Sequence, residues 1–467
     1  MEGRQMKDKW VTLIALTSLC ATALLGAQST PQPTASLEEK ARQAASEGKI
    51  AYQLTTPEEL NAVLGPPASE KKEQDGGMEM LTLQYVGLMA RFTRLREIGG
   101  PFTLQALNGR GNWLDNIIGG GAAIDIGQNR PVVLRSTDDL AKFDSFWGFA
   151  GASLAGLDLR EHKATLEKMP FDSRTQWPAR DKLPESFDPA RRLEESKGPG
   201  LGVAGLHAQG LDGHGVGITI IDQPLLRDHE EYAGQVVRYE AIGVFFNPVE
   251  MHGPPVCSIA VGQKCGVAPK ASLYYYAVPP WQWLDNKPWA EQLEKIIEFN
   301  KTLTDQPKIR VVSISLGAFS QRPNFDLWKA AVEKASQNGI LVVTCDPTFL
   351  RLATLRRDPN GDPNDPSCYT TGRYSALGAA LCVPAGNRTT ASHYGRDVYT
   401  YWIEGGMSWA VPYLAGLAAL AFQIDPEIPP AQIVELWTST ATKSSAGPIV
   451  NPPKFIEAVR SRTKKAP

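Results

Sequence analysis

Three residues stand where the local pattern could support acid–base or nucleophilic chemistry. The run G-V-G-I-T-I-I-D (215–222) ends in Asp222, which sets a carboxylate at the carboxyl end of a predicted strand. His252, in M-H-G-P-P-V-C-S-I-A-V-G, stands immediately before a predicted helix, whose opening prolines are tolerated because first-turn N–H groups lack helical partners anyway. Ser408, in G-G-M-S-W-A-V-P-Y-L-A-G, opens an Ala/Leu-rich helix, where free N–H groups and the dipole stabilise developing negative charge. A carboxylate, an imidazole and a hydroxyl are the residue types of base, proton carrier and nucleophile. Each is ambiguous by itself. Loops after strands commonly carry Asp, a lone His is more often structural, and a Ser at a helix start serves equally as an N-cap.

The elements that must hold these residues become legible beyond residue 200. G-V-G-I-T-I-I-D (215–222), A-S-L-Y-Y-Y-A-V (271–278), I-R-V-V-S-I-S-L-G (309–317) and I-L-V-V-T-C (340–345) read as strands. The stretch 288–301 places Trp289, Leu293, Ile296 and Ile297 on one helical face. A second helix carries Leu327, Trp328, Ala331, Val332 and Ala335 and stops at Asn338-Gly339. Strands apolar on both faces, alternating with amphipathic helices, predict an α/β fold with a parallel sheet covered on both sides. Sites in such sheets form at the carboxyl ends of strands, where Asp222 lies. Upstream, M-E-M-L-T-L-Q-Y-V (78–86) and P-V-V-L-R (131–135) read as strands in a smaller mixed or β-rich N-terminal region. S-L-A-G-L-D-L-R (153–160) looks like one turn of a leucine-rich repeat, but a solenoid needs several copies, so it reads as local packing.

In the order Asp, His, Ser, the three motifs resemble those of the subtilisin-like serine proteases, the subtilases, over residues 200 to 445 or so. D-Q-P-L-L-R-D-H is similar to the family's Asp motif, including a second histidine, His229, that the resemblance makes structural. H-G-P-P-V matches the His motif at its His-Gly pair, and G-V-A-P-K-A-S-L-Y-Y-Y-A-V (266–278) is close to the family's text there. S-W-A-V-P resembles the Ser motif, and V-S-I-S-L-G (312–317) the edge strand that holds substrate. The resemblance implies a subtilisin-like three-layer fold. It also implies that Ser408 attacks a carbonyl carbon, His252 carries the proton, and Asp222 orients and stabilises the imidazole. Ser315, Leu316 and Gly317 would pair with an extended peptide by strand addition.

Departures from the family are specific. Asp222-Gln223-Pro224 stands for Asp-Ser-Gly or Asp-Thr-Gly, His252-Gly253-Pro254-Pro255 for His-Gly-Thr-His, and Met407 for the Thr before the serine, with Trp409 after it. The family's oxyanion-hole Asn is Asp346 here. An ionised carboxylate cannot donate to an oxyanion, and loss of such a donor typically costs about 10²–10³ in rate. The expectation is therefore activity favoured in acid, or an Asp346 with a raised pKa.

The 467 residues carry 48 Lys plus Arg against 50 Asp plus Glu, a formal net charge of −2 that excludes a nucleic-acid binder built on global positive charge. With 42% hydrophobic and 21% charged residues, the composition is that of a folded protein. Arg4, Lys7 and Lys9 precede an apolar run from Trp10 to Ala27 and then Q-S-T-P-Q-P-T, the layout of a signal peptide over 1–27, with an uncleaved anchor as the alternative. Cys20 in that run follows Leu19 rather than a small residue, which disfavours a lipoprotein. No later segment reads as long and apolar enough to cross a membrane. Residues 28–48 then read as a linker, 49–190 as a propeptide-like or accessory region, and 195–460 as the catalytic domain. Cys257, Cys265, Cys345, Cys368 and Cys382 lack Cys-x-x-Cys spacing and read as free, buried thiols, so no metal is expected from them. D-P-N-G-D-P-N-D-P (358–366) alternates oxygen-bearing residues as calcium loops do, but its prolines and missing closing Glu favour a solvated turn. No cofactor is required, with calcium an option. The sequence thus reads as a secreted or periplasmic serine endopeptidase acting on polypeptides through an acyl-enzyme, with no stable membrane insertion after signal removal. The alternatives are a subtilase-fold binding protein with impaired turnover, and an acyl-transferring ligase or cyclase.

Overall fold

The computed structural model describes residues 36–46, 49–50, 55–75, 78–95, 102–109, 116–119, 133–143, 148–242, 249–278, 283–375 and 378–464. Contacts divide the chain into Met1–Ser36 and Leu37–Pro467. The expected signal peptide, Cys20 and the first part of the expected linker lie outside the described residues.

From Leu37 the stretch expected as linker is instead helix α1 (Leu37–Ser46), whose Ala41 and Ala44 are buried. Helix α2 (Pro57–Leu64) begins at a capping box in which Thr56 and Glu59 satisfy each other's backbone N–H. Strands β1 (Ser69–Asp75), β2 (Met78–Tyr85), β3 (Leu88–Leu95), β4 (Thr103–Gly109) and β5 (Asn116–Gly119) form a five-stranded sheet in chain order, antiparallel at every pairing. Alternation in β2 turns Leu81, Leu83 and Tyr85 onto α1 and α2, giving this layer its own core.

The next stretch belongs to a different core. Residues 149–159 stack in parallel on 170–182 through Phe149 N–H to Pro170 O, Leu154 N–H to Gln176 O and Leu159 N–H to Lys182 O. Isolated bridges align Val133, Ser153 and Gln176. The repeat-like 153–160 is thus one coil of a short stack that includes α3 (Lys163–Leu166). Its Phe149, Leu154, Phe171 and Phe187 close over Tyr401 and Ile403. Strand β6 (Phe171–Asp172) pairs with a C-terminal strand, and α4 (Pro189–Glu195) and α5 (Val203–His207) lead on. Residues 49–190, expected as one propeptide-like or accessory region, thus contribute to two side-chain cores, the second shared with Tyr401 and Ile403.

Strands β7 (Gly217–Asp222), β8 (Val236–Ala241), β9 (Ser272–Ala277), β10 (Ile309–Ile314) and β11 (Leu341–Thr344) make a wholly parallel sheet in the order β11-β10-β7-β9-β8. Helices α6 (Gly253–Val261), α7 (Asn286–Thr302), α8 (Phe325–Gln337) and α9 (Gly406–Ile424) complete the three layers. Alternating residues face opposite ways: Leu273, Tyr275 and Ala277 join the core with α6 and α9, while Tyr274, Tyr276 and Val278 join that with α7 and α8. On α8, Trp328, Ala331 and Ala335 are buried as expected, but Leu327 is 49% exposed. Beyond this sheet, β12 (Leu352–Arg357), β13 (Tyr369–Ser375) and β14 (Leu381–Gly386) form the bulk of another sheet, and β15 (Arg388–Ala391) and β16 (Tyr399–Trp402) pair with each other and with β6.

Helix α9 is long and apolar enough to cross a membrane, which corrects the expectation that no later segment is, but 78% of that window is buried inside the protein. It lies against α6, so the two helices that begin at the candidate histidine and serine share an interface. Gly416 makes the approach close: a Cβ there would lie 2.6 Å from Val267 Cβ and 3.3 Å from the Ala260 carbonyl oxygen. Gly416→Val is expected to cost about 1–3 kcal/mol by overpacking, read as a lower urea midpoint at unchanged slope.

Candidate active site

The order of the parallel strands reverses at β7, whose neighbours β9 and β10 are reached in opposite directions, and crevices open at such switch points. Asp222 is the last residue of β7, and Ser315 follows β10 beside it. His252 is the N-cap residue of α6. Its Nδ1 lies 2.7 Å from Asp222 Oδ1, and its main-chain N–H donates to Gln223 Oε1 at 3.2 Å. Burial lowers the affinity of His252 for its proton, but the charge and hydrogen bond of Asp222 outweigh it, leaving the imidazole pKa raised. A cleft of about 130 Å³ is lined by Asp222, Gln223, His252, Trp289, Ser315 and Leu316. A larger hollow of about 680 Å³ lies elsewhere, on the coil stack between Arg160 and Arg180.

Ser408 sits in the first turn of α9, whose N-cap is Gly405, so it is not the capping residue. The two glycines before it are required by geometry. A Cβ on Gly405 would strike the Ala385 carbonyl oxygen and the Trp409 ring, and Gly406 has φ +62°. Pro412, four residues on, has no N–H for the Ser408 carbonyl, and Ser315 Oγ donates to that carbonyl at 2.8 Å instead. The Ser408 hydroxyl in turn donates to the Ser315 carbonyl oxygen at 3.3 Å, not to His252. The imidazole packs edge-on to Trp409, the residue after the serine, at 5.5 Å between ring centres. The structure thus brings Asp222, His252 and Ser315 to one cleft, and ties the Ser408 backbone to it through Ser315.

The segment expected as an edge strand differs from that reading. Strand β10 is interior, between β11 and β7, and ends at Ile314. Ser315, Leu316 and Gly317 run beyond its carboxyl end, where the Leu316 carbonyl accepts from the Cys345 N–H at 3.0 Å. Cys345 reads from sequence as a buried strand-end thiol, with a place near the active site as the alternative; burial pushes its pKa up to about 12. All five expected cysteines are free, with Cys257, Cys265 and Cys382 buried. His229 is fully buried; its Nδ1 accepts from the Glu231 N–H and its other nitrogen faces the Val398 carbonyl at 2.9 Å.

Asp346 is 1% exposed and follows β11. Its carboxylate accepts from Ser320 N–H at 3.1 Å, Thr348 N–H at 2.9 Å and Thr348 Oγ1 at 2.6 Å. Burial raises its pKa, but these donors outweigh burial and the net shift is downward. The shift is thus opposite to the raised pKa weighed from sequence, and the carboxylate joins the loop at Ser320 to the one at Thr348. In 358–366, Asp358, Asp362 and Asp365 each accept from the N–H two residues on, as in Asx turns. Among the described residues, no group of three or more His, Cys, Asp or Glu side chains is placed to hold a metal. Sequence reasoning missed Glu250, buried two residues before His252; the apolar V-F-F-N-P-V (244–249) ahead of it was the available signal.

Residues 213–347 match the family model described as Peptidase S8, the subtilase family, a span that contains Asp222, His252 and Asp346. The chain is 26% identical over 286 residues to the subtilisin-like protease PopC of Myxococcus xanthus (strain DK1622), covering 52% of this chain and 58% of that protein. It is also 26% identical over 254 residues to a cuticle-degrading protease of Metarhizium anisopliae, covering 50% of this chain and 60% of that one. It therefore spans less than two thirds of the length of either. Similar solved structures include a cold adapted subtilisin-like serine proteinase, with 21% identity, TM-score 0.40 and coverage of 51% of this chain and 88% of that chain. Another is the A-subunit of the AB5 toxin from E. coli, with 14% identity, TM-score 0.45 and coverage of 57% and 99%.

The Asp346 environment makes a pH prediction. A carboxylate that binds its proton more weakly when folded stabilises the fold above the ordinary Asp range, near about pH 4, and loses that contribution as pH falls through its lower folded value. Asp346→Asn turns an amide N–H₂ toward backbone donors. Its stability deficit, measured by denaturant midpoints, should be full at about pH 7 and shrink below about pH 4. A deficit constant across that range contradicts this account.

Proposed function

We propose that this chain is an exported serine endopeptidase that cleaves polypeptides with Asp222, His252 and Ser408. The observation that carries the reading is the 2.7 Å Asp222–His252 bond at the strand switch point, with the imidazole against the residue that follows Ser408. Attack begins with rotation of the Ser408 hydroxyl about χ1, from the Ser315 carbonyl to Nε2 of His252, which takes the proton as Oγ bonds to the substrate carbonyl carbon. The first-turn N–H groups of α9 stabilise the oxyanion. Return of the proton to the leaving amine breaks the C–N bond and leaves an acyl-enzyme, which water hydrolyses by the same route. Substrate lies along Ser315, Leu316 and Gly317 by backbone pairing. The basic and apolar N-terminus supports export.

This reading reverses the acid preference expected from Asp346. A general base must be unprotonated, and a raised His252 pKa makes activity rise with pH through neutrality. A second reading, a subtilase-fold binding protein with impaired turnover, is favoured by one observation, the Ser408 hydroxyl turned onto Ser315. A fluorophosphonate probe separates the two. The peptidase reading expects covalent labelling at Ser408 that increases from about pH 5 to about pH 8, and Ser408→Ala or His252→Ala to lower kcat on denatured protein by about 10⁴–10⁶-fold. No labelling at any pH in that range overturns it.

A further inference from the structure

Glu250 is 4% exposed, and its Oε1 is buried with no hydrogen-bond partner. A carboxylate oxygen buried without a donor is costly, so such a group holds its proton unless its surroundings favour the charge. Its position is fixed by the backbone: the Glu250 N–H donates to the Pro224 carbonyl at 3.0 Å, which sets it behind the turn that follows Asp222 and two residues ahead of His252. Burial first, and then the Asp222 charge, push Glu250 up to about 7, while an imidazolium at His252 draws it back down. In return, ionised Glu250 is one of the causes that raise His252.

Among the described residues, Asp222 and His252 are the charged groups that act on Glu250. Arg227 lies over the Tyr239 ring at 5.0 Å from its centre, and Tyr275 donates its hydroxyl to the Gln223 carbonyl. Cys257, farther along α6, is kept neutral by burial. The adjoining segment 243–248 carries no ionisable side chain in its sequence.

We propose that Glu250, buried two residues before His252 and bonded through its backbone to the same 222–224 turn that holds the imidazole, is a positioning residue for the Asp222–His252 pair. Once ionised it adds a second negative charge to that of Asp222 in the surroundings of His252. It gives up its proton at about 7, and the imidazole becomes harder to deprotonate as Glu250 charges. The acid side of the catalytic pH range is then set by two carboxyls rather than one. Only the activity arm of this inference rests on the proposed peptidase reading.

The test follows the His252 ring proton by NMR in the histidine-labelled full chain, assigned by comparison with His252→Gln. In Glu250→Gln the His252 titration is expected to move to lower pH, and in Glu250→Asp, which keeps the charge, to stay near the unsubstituted curve. Coincident curves for the unsubstituted chain and Glu250→Gln overturn the proposal. Should Glu250→Gln fail to fold, the unsubstituted chain still decides: His252 is expected to titrate in two steps between about pH 5 and about pH 9, and a single-step curve overturns it. The acid limb of peptide hydrolysis should move down with the imidazole in Glu250→Gln. If no variant hydrolyses peptides, the peptidase reading fails, while the imidazole titration still judges Glu250.

Discussion

The reciprocal bonds between Ser315 and Ser408 tie the end of a central strand to the first turn of the buried helix, and the site depends on that tie. It exists because Pro412 leaves the Ser408 carbonyl without its helical partner, at a place where the strand end can supply a hydroxyl. Gly405 and Gly406 bring the backbone there, one by making room for the Ala385 carbonyl and the other by taking a left-handed turn. A proline inside a helix is ordinarily a cost. Here the freed carbonyl is used to fix the register between α9 and β10, and so the height of Ser408 above the sheet.

The second anchor runs through α6. Its N-cap histidine is held by Asp222 from the strand end and by Gln223 from the turn, while the rest of the helix is buried against α9. Both candidate side chains therefore start from helices packed on one face of the sheet, and displacement of either helix would separate them. The tight packing at Gly416 is thus part of the geometry of the cleft as well as of the core.

Much of this was legible in the sequence. The strands at 217–222, 272–277, 309–314 and 341–344 and the helices at 286–302 and 325–337 follow from apolar runs and 3.6-residue periodicity, because burial on both faces of a parallel sheet writes itself into composition. What periodicity cannot convey is strand order, and the resemblance that made V-S-I-S-L-G (312–317) an edge strand did not supply it either: β10 is interior. Nor does it convey which core a segment joins: residues 149–187 show one repeat-like phrase, yet their aromatic side chains close over Tyr401 and Ile403, far away in sequence. The linker reading failed at α1 because short Ala, Glu and Gln-rich text suits a helix only once it has a sheet to lie on.

The electrostatics were the least legible, since they depend on which donors meet each carboxyl. Asp222, Glu250 and Asp346 lie around the candidate site, and all three are buried. Asp346 meets four backbone and hydroxyl donors, which favour its charged form; Glu250 meets none at Oε1 and keeps its proton toward neutrality; Asp222 meets an imidazole. Identical chemistry is thereby divided by the donors, burial and neighbouring charge that each carboxyl meets. An Asp at position 346 suggests a proton donor when read as a replacement for Asn. Once Ser320 and Thr348 surround it, an ionised acceptor that orders two loops is the stable outcome. The proton exchanged near neutrality is left to the carboxyl that lacks such donors.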